Sequence, residues 1–89
     1  MGSYVKVTYV ALNTDRKPIV SANEFDDLKA GVDEYYGVDK GQAEYLGFTP
    51  YYSKFPETYE GYFTYKDGDD IDEVRVYCID YWPHTIYET

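Results

Sequence analysis

The sequence predicts an α+β domain in which one helix covers a mainly antiparallel sheet of three to four strands. Two long segments in the second half alternate between two faces around a strong turn, which predicts the sheet. Apolar residues at helical spacing in the first half predict the helix. A chain of 89 residues has the length of one small domain, so we expect residues 1–89 to share a single core.

The first predicted element is a strand at residues 4–12, where β-branched and aromatic residues dominate and alternate residues share a face. Residues 13–18 are polar, contain good turn formers and end at Pro18, so we expect the chain to loop or reverse there. A short apolar piece follows at residues 19–20.

The next segment carries helix signals. Ser21 is followed three residues later by Glu24, the spacing of a capping box, which predicts that a helix starts here. Gly37 is placed to end the helix in a left-handed conformation, whereas Gly31 would either end it earlier or remain inside it at a cost of about 1 kcal/mol relative to Ala. The expected apolar stripe consists of Phe25, Leu28, Val32, Tyr35 and Tyr36.

The middle of the chain, residues 38–57, shows no sustained period and is interrupted by glycine and proline. This predicts a loop, with at most a short helical turn near residues 42–46. Five aromatic side chains in the segment need either a core to cover or a partner to contact. They are Tyr45, Phe48, Tyr51, Tyr52 and Phe55.

Two alternating runs, residues 58–66 and 71–82, flank the acidic turn at residues 67–70, and they predict a β-hairpin that Pro83 ends. In the first run, Tyr59 is expected to share a face with Phe63.

Two hairpin registers remain open. A four-residue loop places Phe63 opposite Val74, and a two-residue loop places Glu60 opposite Arg75. Both registers keep Phe63, Val74 and Val76 on one face, which we expect to be the core face.

The residues that could carry chemistry are few. Ile71 stands where an EF-hand needs its third oxygen ligand, so the acidic turn is expected to be a solvated hairpin tip rather than a calcium site. Cys78 and His84 are the only residues of their types, too few for zinc or for an activated nucleophile, and Cys78 is expected on the inward face as a small hydrophobe. We therefore predict no catalytic residue, no metal and no cofactor.

The cysteine content also bears on the compartment. One cysteine cannot form an intramolecular disulfide, which favours the cytoplasm. No apolar run approaches the about 20 residues needed to cross a bilayer, so we expect no membrane association.

The charge is strongly acidic, with 17 Asp and Glu against 8 Lys and Arg and a net charge of −9. This argues against direct binding of nucleic acid and favours a basic protein as the partner. Residues 1–30 are neutral, so the whole excess lies in residues 31–89.

Tyrosine is the other unusual feature, with 13 residues. We expect Tyr9, Tyr35, Tyr59 and Tyr65 to fill a core that is poor in aliphatic residues. Other tyrosines should be exposed, where they supply contact area at a low cost in entropy.

These features predict a partner-binding site in which acidic side chains attract the partner and tyrosines hold it. Its predicted residues are Asp26, Asp27, Asp33, Glu34, Tyr51, Tyr52, Glu60, Tyr62, Asp67, Asp69, Asp70, Asp72 and Glu73.

Over all 89 residues, the size, charge and aromatic content resemble small virus-encoded proteins that disable a bacterial host's nucleic-acid machinery, such as anti-CRISPR and other DNA-mimic inhibitors. Such proteins are typically short, acidic single domains without catalytic residues that occupy a nucleic-acid-binding site. The resemblance implies a phage or mobile-element inhibitor that acts in the host cytoplasm on a basic protein, such as a nucleic-acid-binding effector.

Two other functions are compatible with the sequence. One is a phage structural or assembly protein that forms a homo-oligomer through a tyrosine-rich surface. The other is a carbohydrate-binding module that uses Trp82 and the loop tyrosines.

Overall fold

The computed structural model describes residues 8–52 and 58–79, which form five strands, one α-helix and one short 3₁₀ helix. The α+β class is confirmed, and the expected three to four strands are corrected to five. The elements are β1 (Thr8–Leu12), β2 (Pro18–Ala22), α1 (Phe25–Tyr36), the 3₁₀ helix (Val38–Lys40), β3 (Glu44–Pro50), β4 (Tyr59–Asp67) and β5 (Asp70–Ile79).

All five strands belong to one antiparallel sheet with the order β2-β1-β5-β4-β3. Helix α1 packs across one side of this sheet, which we call the covered face. The central core cluster has no solvent exposure and consists of Ala11, Leu28, Val32, Phe63, Tyr65, Val74 and Val76.

Aromatic rings extend this core at the start of α1. The ring of Phe25 contacts those of Phe48 at 5.1 Å, Phe63 at 5.5 Å and Tyr9 at 5.7 Å between centroids. Such pairs add about 0.5–1.5 kcal/mol each beyond area burial. Aromatic packing therefore makes up for the low aliphatic content.

The predicted turn after the first strand is confirmed. The side-chain oxygen of Asn13 accepts hydrogen bonds from the backbone N–H groups of Asp15 and Lys17, both at 2.9 Å. Arg16 adopts a left-handed conformation with φ 67°. This reversal brings the apolar piece back alongside β1 as strand β2.

The predicted start of the helix is wrong. Ser21 lies in β2 opposite Val10, so the strand ladder holds its backbone and no capping box forms. Helix α1 begins at Phe25 instead, with Glu24 at the N-cap and no side-chain cap hydrogen bond. The predicted end is confirmed, because Gly37 has φ 71° and its N–H is bonded to carbonyls of the last helical turn.

Four of the five predicted stripe residues pack on the core, and Tyr35 is the exception because it is 56% exposed. Gly31 does not end the helix. A Cβ at Gly31 would lie 2.7 Å from Cγ1 of Val20, so the absence of a side chain lets α1 approach β2 closely.

The segment predicted to be a loop contains the edge strand β3, and no helical turn forms at residues 42–46. A register shift between Tyr45 and Gly47 inserts one extra residue. Tyr45 and Phe48 consequently both pack on the core although they are three residues apart. This bulge destroys the alternation by which a strand is recognised. Phe55 lies outside the described residues.

The β4–β5 hairpin has the register of the four-residue loop, with Phe63 opposite Val74. The alternative pairing of Glu60 with Arg75 is wrong. Phe63, Val74 and Val76 share the core face as expected and have no solvent exposure. Residues 80–89, which include Trp82, Pro83 and His84, lie outside the described part of the chain.

A second bulge lies between Tyr59 and Gly61. It moves Tyr59 to the side of the sheet that carries Tyr77, opposite which it is paired, so the expectation that Tyr59 shares a face with Phe63 is wrong. Gly61 has φ 142°, and a Cβ there would collide with the carbonyl oxygen of Thr49. Only glycine fits this position.

In residues 8–52 and 58–79, no helix has the length and apolar character needed to cross a membrane.

Candidate functional site

The structure separates the predicted partner-binding residues into groups instead of gathering them in one patch. Asp26, Asp27 and Glu34 are exposed along α1, and Asp67, Asp69 and Asp70 are exposed at the tip of the β4–β5 hairpin. We call these two groups together the acidic side. The remaining predicted residues lie elsewhere, as described below.

Asp33 is held within the fold. Its carboxylate accepts hydrogen bonds from the Tyr65 hydroxyl at 2.5 Å and from Nζ of Lys29 at 2.7 Å. Lys29 also lies 4.2 Å from the ring centroid of Tyr45. Burial, and then the bond to Asp33, raise the pKa of Tyr65 above its ordinary value. The Asp33 carboxylate therefore ties α1 to β4.

Asp72 has a similar partner. The Tyr36 hydroxyl donates to its carboxylate at 3.0 Å, and the Tyr36 ring stacks on Tyr65 with centroids 4.5 Å apart. Burial, followed by the bond to Asp72, raises the pKa of Tyr36. The two hydrogen bonds thus join α1 to the sheet in opposite directions: Asp33 of α1 accepts from Tyr65 of β4, and Asp72 of β5 accepts from Tyr36 of α1.

A polar cleft of about 290 Å³ opens where α1 ends, between the β1–β2 turn and the β4–β5 hairpin. Its walls include two carboxylates and two phenol rings, and a helix C-terminus adds the negative end of the helix dipole. Sequence reasoning missed Tyr35, which it placed in the core, and Gln42. The lining side chains beyond the turn are Tyr35, Tyr36, Gln42, Asp67 and Asp72.

The opposite side of β3, β4 and β5 points away from α1, and we call its part from Ile71 to Tyr77 of β5, with the neighbouring residues of β4 and β3, the open face. Beyond this part, Val10 and Ile79 point to the same side and are buried. A row of rings crosses the open face, with centroids of Tyr51 and Tyr59 4.6 Å apart and those of Tyr59 and Tyr77 5.2 Å apart. Tyr62 lies on the same face opposite Arg75. Burial raises the pKa of Tyr59, and the charge of Arg75 partly offsets this shift.

The charges of the open face balance. Among the described strand residues that point to this side, the titratable side chains besides the tyrosines are Glu44, Lys66, Glu73 and Arg75. The other described residues carry twelve acids and four bases, a net charge of −8. The predicted residues Glu73 and Tyr62 therefore lie on a neutral face, remote in direction from the acids of α1.

Two predicted residues lie at the margins of these surfaces. Glu60 sits at the β4 bulge, and its charge contributes to raising the pKa of Tyr9, after burial and the neighbouring Cys78. Tyr52, after β3, is 86% exposed.

The described residues contain no group of three side chains suited to hold a metal ion. Cys78 is half-buried opposite Tyr9 on the covered face, as predicted.

Comparison with known proteins finds no relative of this chain. No protein-family model, curated protein sequence or solved structure matches this chain.

Proposed function

We propose that this protein is a non-enzymatic binding protein whose acidic side occupies a basic nucleic-acid-binding surface of a host protein, in the manner of anti-CRISPR and DNA-mimic inhibitors. The observation that carries this proposal is the uneven charge: the described residues outside the open face carry a net charge of −8. A surface of this sign attracts basic proteins and speeds their encounter.

The spacing of the acids supports the proposal. Asp26 and Glu34 are separated by eight helical steps, or about 12 Å along α1. Asp33 is paired with Lys29, so with Asp27 the exposed acids of α1 supply one charge per roughly 6 Å, which is sparser than the one per about 1.7 Å of duplex DNA. Helix acids alone are therefore a dilute imitation of a phosphate backbone.

The hairpin tip adds charge where the helix ends. Asp67 is close enough to Tyr36, in the last turn of α1, to contribute to raising its pKa after burial and Asp72. Asp69 and Asp70 follow at the tip. The acidic side therefore runs from the first turn of α1 to the hairpin and lengthens the negative surface beyond the helix.

The cleft at the end of α1 supplies a pocket for a cationic side chain of the partner. Its carboxylates, Asp67 and Asp72, can accept hydrogen bonds from a guanidinium or ammonium group. The ring of Tyr35, which is 56% exposed, offers a face for cation–π contact. An Arg or Lys that normally contacts a phosphate has the chemistry this cleft requires.

The test is capture of partners from a bacterial lysate by the immobilised protein at low and high salt, with identification by mass. Added duplex DNA should displace the captured proteins, which we expect to be nucleic-acid-binding proteins, and high salt should release them. Capture that resists both high salt and duplex DNA would overturn the mimicry.

Two variants that remove the same charge locate the contact. Asp69→Asn with Asp70→Asn neutralises two exposed acids of the tip, whereas Glu44→Gln with Glu73→Gln neutralises two on the open face. We expect the tip variant to weaken capture several-fold and the open-face variant to leave it near the wild-type level. Equal weakening by both would mean that net charge alone, not the acidic side, drives capture.

A further inference from the structure

We propose that the open face binds a second copy of this chain, forming a weak, two-fold symmetric dimer in which the sheets pack face to face. This interaction is separate from the proposed contact with a basic partner, because it uses the other side of the sheet. In this dimer the row of Tyr51, Tyr59 and Tyr77 lies in the interface between the two copies.

Charge is the first argument. Two molecules that each carry −9 repel one another on average, so a second copy needs a surface without net charge. The open face meets this requirement, since the charges of Glu44 and Glu73 are balanced by Lys66 and Arg75. The acidic side would place like charges against each other.

The order of the charges along β5 gives the face self-complementarity. Glu73 and Arg75 are two residues apart on one face of the strand, roughly 6.6 Å along it. A two-fold axis in the interface plane, crossing β5 at the level of Val74, would set Glu73 of each copy opposite Arg75 of the other. No described residue forms an ion pair with either side chain.

The same axis also matches apolar groups. It brings Ile71, which is 56% exposed at one end of the face, opposite Tyr77 at the other end. Lys66 of one copy comes opposite Tyr59 of the second, an arrangement suited to cation–π contact. Each exposed apolar or cationic group at the hairpin end thus meets a tyrosine.

The size of the face is that of a weak, transient interface. Three strands at about 4.8 Å spacing and a length of nine to ten residues make a face of roughly 15 by 30 Å. Two such faces bury on the order of 1,000 Å², near the lower limit for a specific interface. We therefore expect a dissociation constant in the upper micromolar range. In this dimer both acidic sides point outward and remain free for a basic partner.

Sedimentation velocity from about 10 μM to about 1 mM tests the dimer. The wild type should shift from monomer to dimer across this range, and Arg75→Glu should remain monomeric because its face has a net negative charge. The double variant Glu73→Arg with Arg75→Glu should restore association at least tenfold relative to Arg75→Glu, since the swapped charges again face each other. Circular dichroism confirms that each variant is folded.

Lys40→Glu is the matched control, because it makes the same charge change at an exposed residue of the 3₁₀ helix, away from β3, β4 and β5. It should dimerise nearly as well as the wild type. The proposal is overturned if the wild type stays monomeric to about 1 mM, if Arg75→Glu dimerises like the wild type, or if Lys40→Glu is as impaired as Arg75→Glu. Lysate capture and sedimentation are independent measurements, so failure of one proposal is distinguishable from failure of the other.

Discussion

The two sides of the sheet use tyrosine differently. On the covered face, the hydroxyls of Tyr36 and Tyr65 donate to Asp72 and Asp33, so each phenol fills the core while its polar end is satisfied by a carboxylate. On the open face, Tyr59 and its neighbours stack in a row among balanced charges. An acidic, tyrosine-rich chain can therefore build both a buried core and a row of partly exposed rings from the same residue type.

The separation also changes how the acidic side and the tyrosines relate. We expected carboxylates and phenols to lie together in one adhesive patch. Instead, Tyr35 and Tyr36 share the cleft at the end of α1 with two carboxylates, while the row of Tyr51, Tyr59 and Tyr77 lies on the other side of the sheet. The acidic side and the tyrosine row therefore differ in both position and chemistry. The variants below test the packing and hydrogen bonds that build the two sides of the sheet.

The largest expected effect comes from Gly61, whose bulge moves Tyr59 to the open face. Gly61→Ala should lower the free energy of unfolding by about 3 kcal/mol or more, because the new Cβ would collide with backbone atoms of β3. Gly47→Ala is the matched control: its φ of 139° is close to the 142° of Gly61, but no atom lies within 4 Å of the added Cβ. Urea unfolding of both variants separates collision from backbone strain, and equal losses would contradict the steric explanation.

A smaller effect is expected where α1 meets the sheet. Gly31→Ala should cost about 1–3 kcal/mol despite the better helix propensity of alanine, because the Cβ would overlap Cγ1 of Val20. Adding Val20→Ala removes that atom, so the double variant should lose less than the sum of the two single losses. Chemical denaturation of the wild type, the two single variants and the double variant gives the coupling free energy between the two positions. Strict additivity would show that the close approach of α1 to β2 does not limit stability.

Uninterrupted patterns made part of this fold predictable. The apolar spacing of α1 and the alternation around Phe63 and Val74 are regular, and both were confirmed. Strand β3 was missed because its bulge puts Tyr45 and Phe48 on one face at a spacing typical of a helix. A bulge is decided by how strands pair, which local periodicity does not encode.

The candidate site shows the same limit. The number of acids and their excess after residue 30 could be read from the sequence. That Asp33 and Asp72 are bound by tyrosines could not, because Tyr65 is 32 residues from Asp33, and Tyr36 is 36 residues from Asp72. Both contacts follow from the placement of α1 over β4 and β5.

Removing one tyrosine hydroxyl from each face compares how much such a hydroxyl contributes to stability on the two sides of the sheet. Tyr65→Phe should cost about 1–2 kcal/mol, because it takes a charge-assisted hydrogen bond from the part-buried carboxylate of Asp33. Tyr77→Phe should change the free energy of unfolding by less than about 0.5 kcal/mol, since its hydroxyl has no hydrogen-bond partner among the described residues. Denaturant unfolding of both variants measures the difference, and similar losses would erase the distinction between the faces.

The smallest expected effect is on the pH dependence of stability. Burial, and then the bond to Asp33, raise the pKa of Tyr65, so the native state keeps its proton while the unfolded chain releases it near pH 10. Above that pH the unfolded state binds fewer protons, and the free energy of unfolding must fall as pH rises. Tyr65→Phe lacks this titration, so the stability gap between it and the wild type should narrow by less than about 1 kcal/mol between pH 9 and pH 10.5.

Tyr52→Phe, at a position 86% exposed, is the control and should follow the wild type throughout. A gap for Tyr65→Phe that is constant or widens with pH would mean that Tyr65 ionises as easily in the folded protein as in the unfolded chain, and the buried pairing with Asp33 would then not distinguish the covered face.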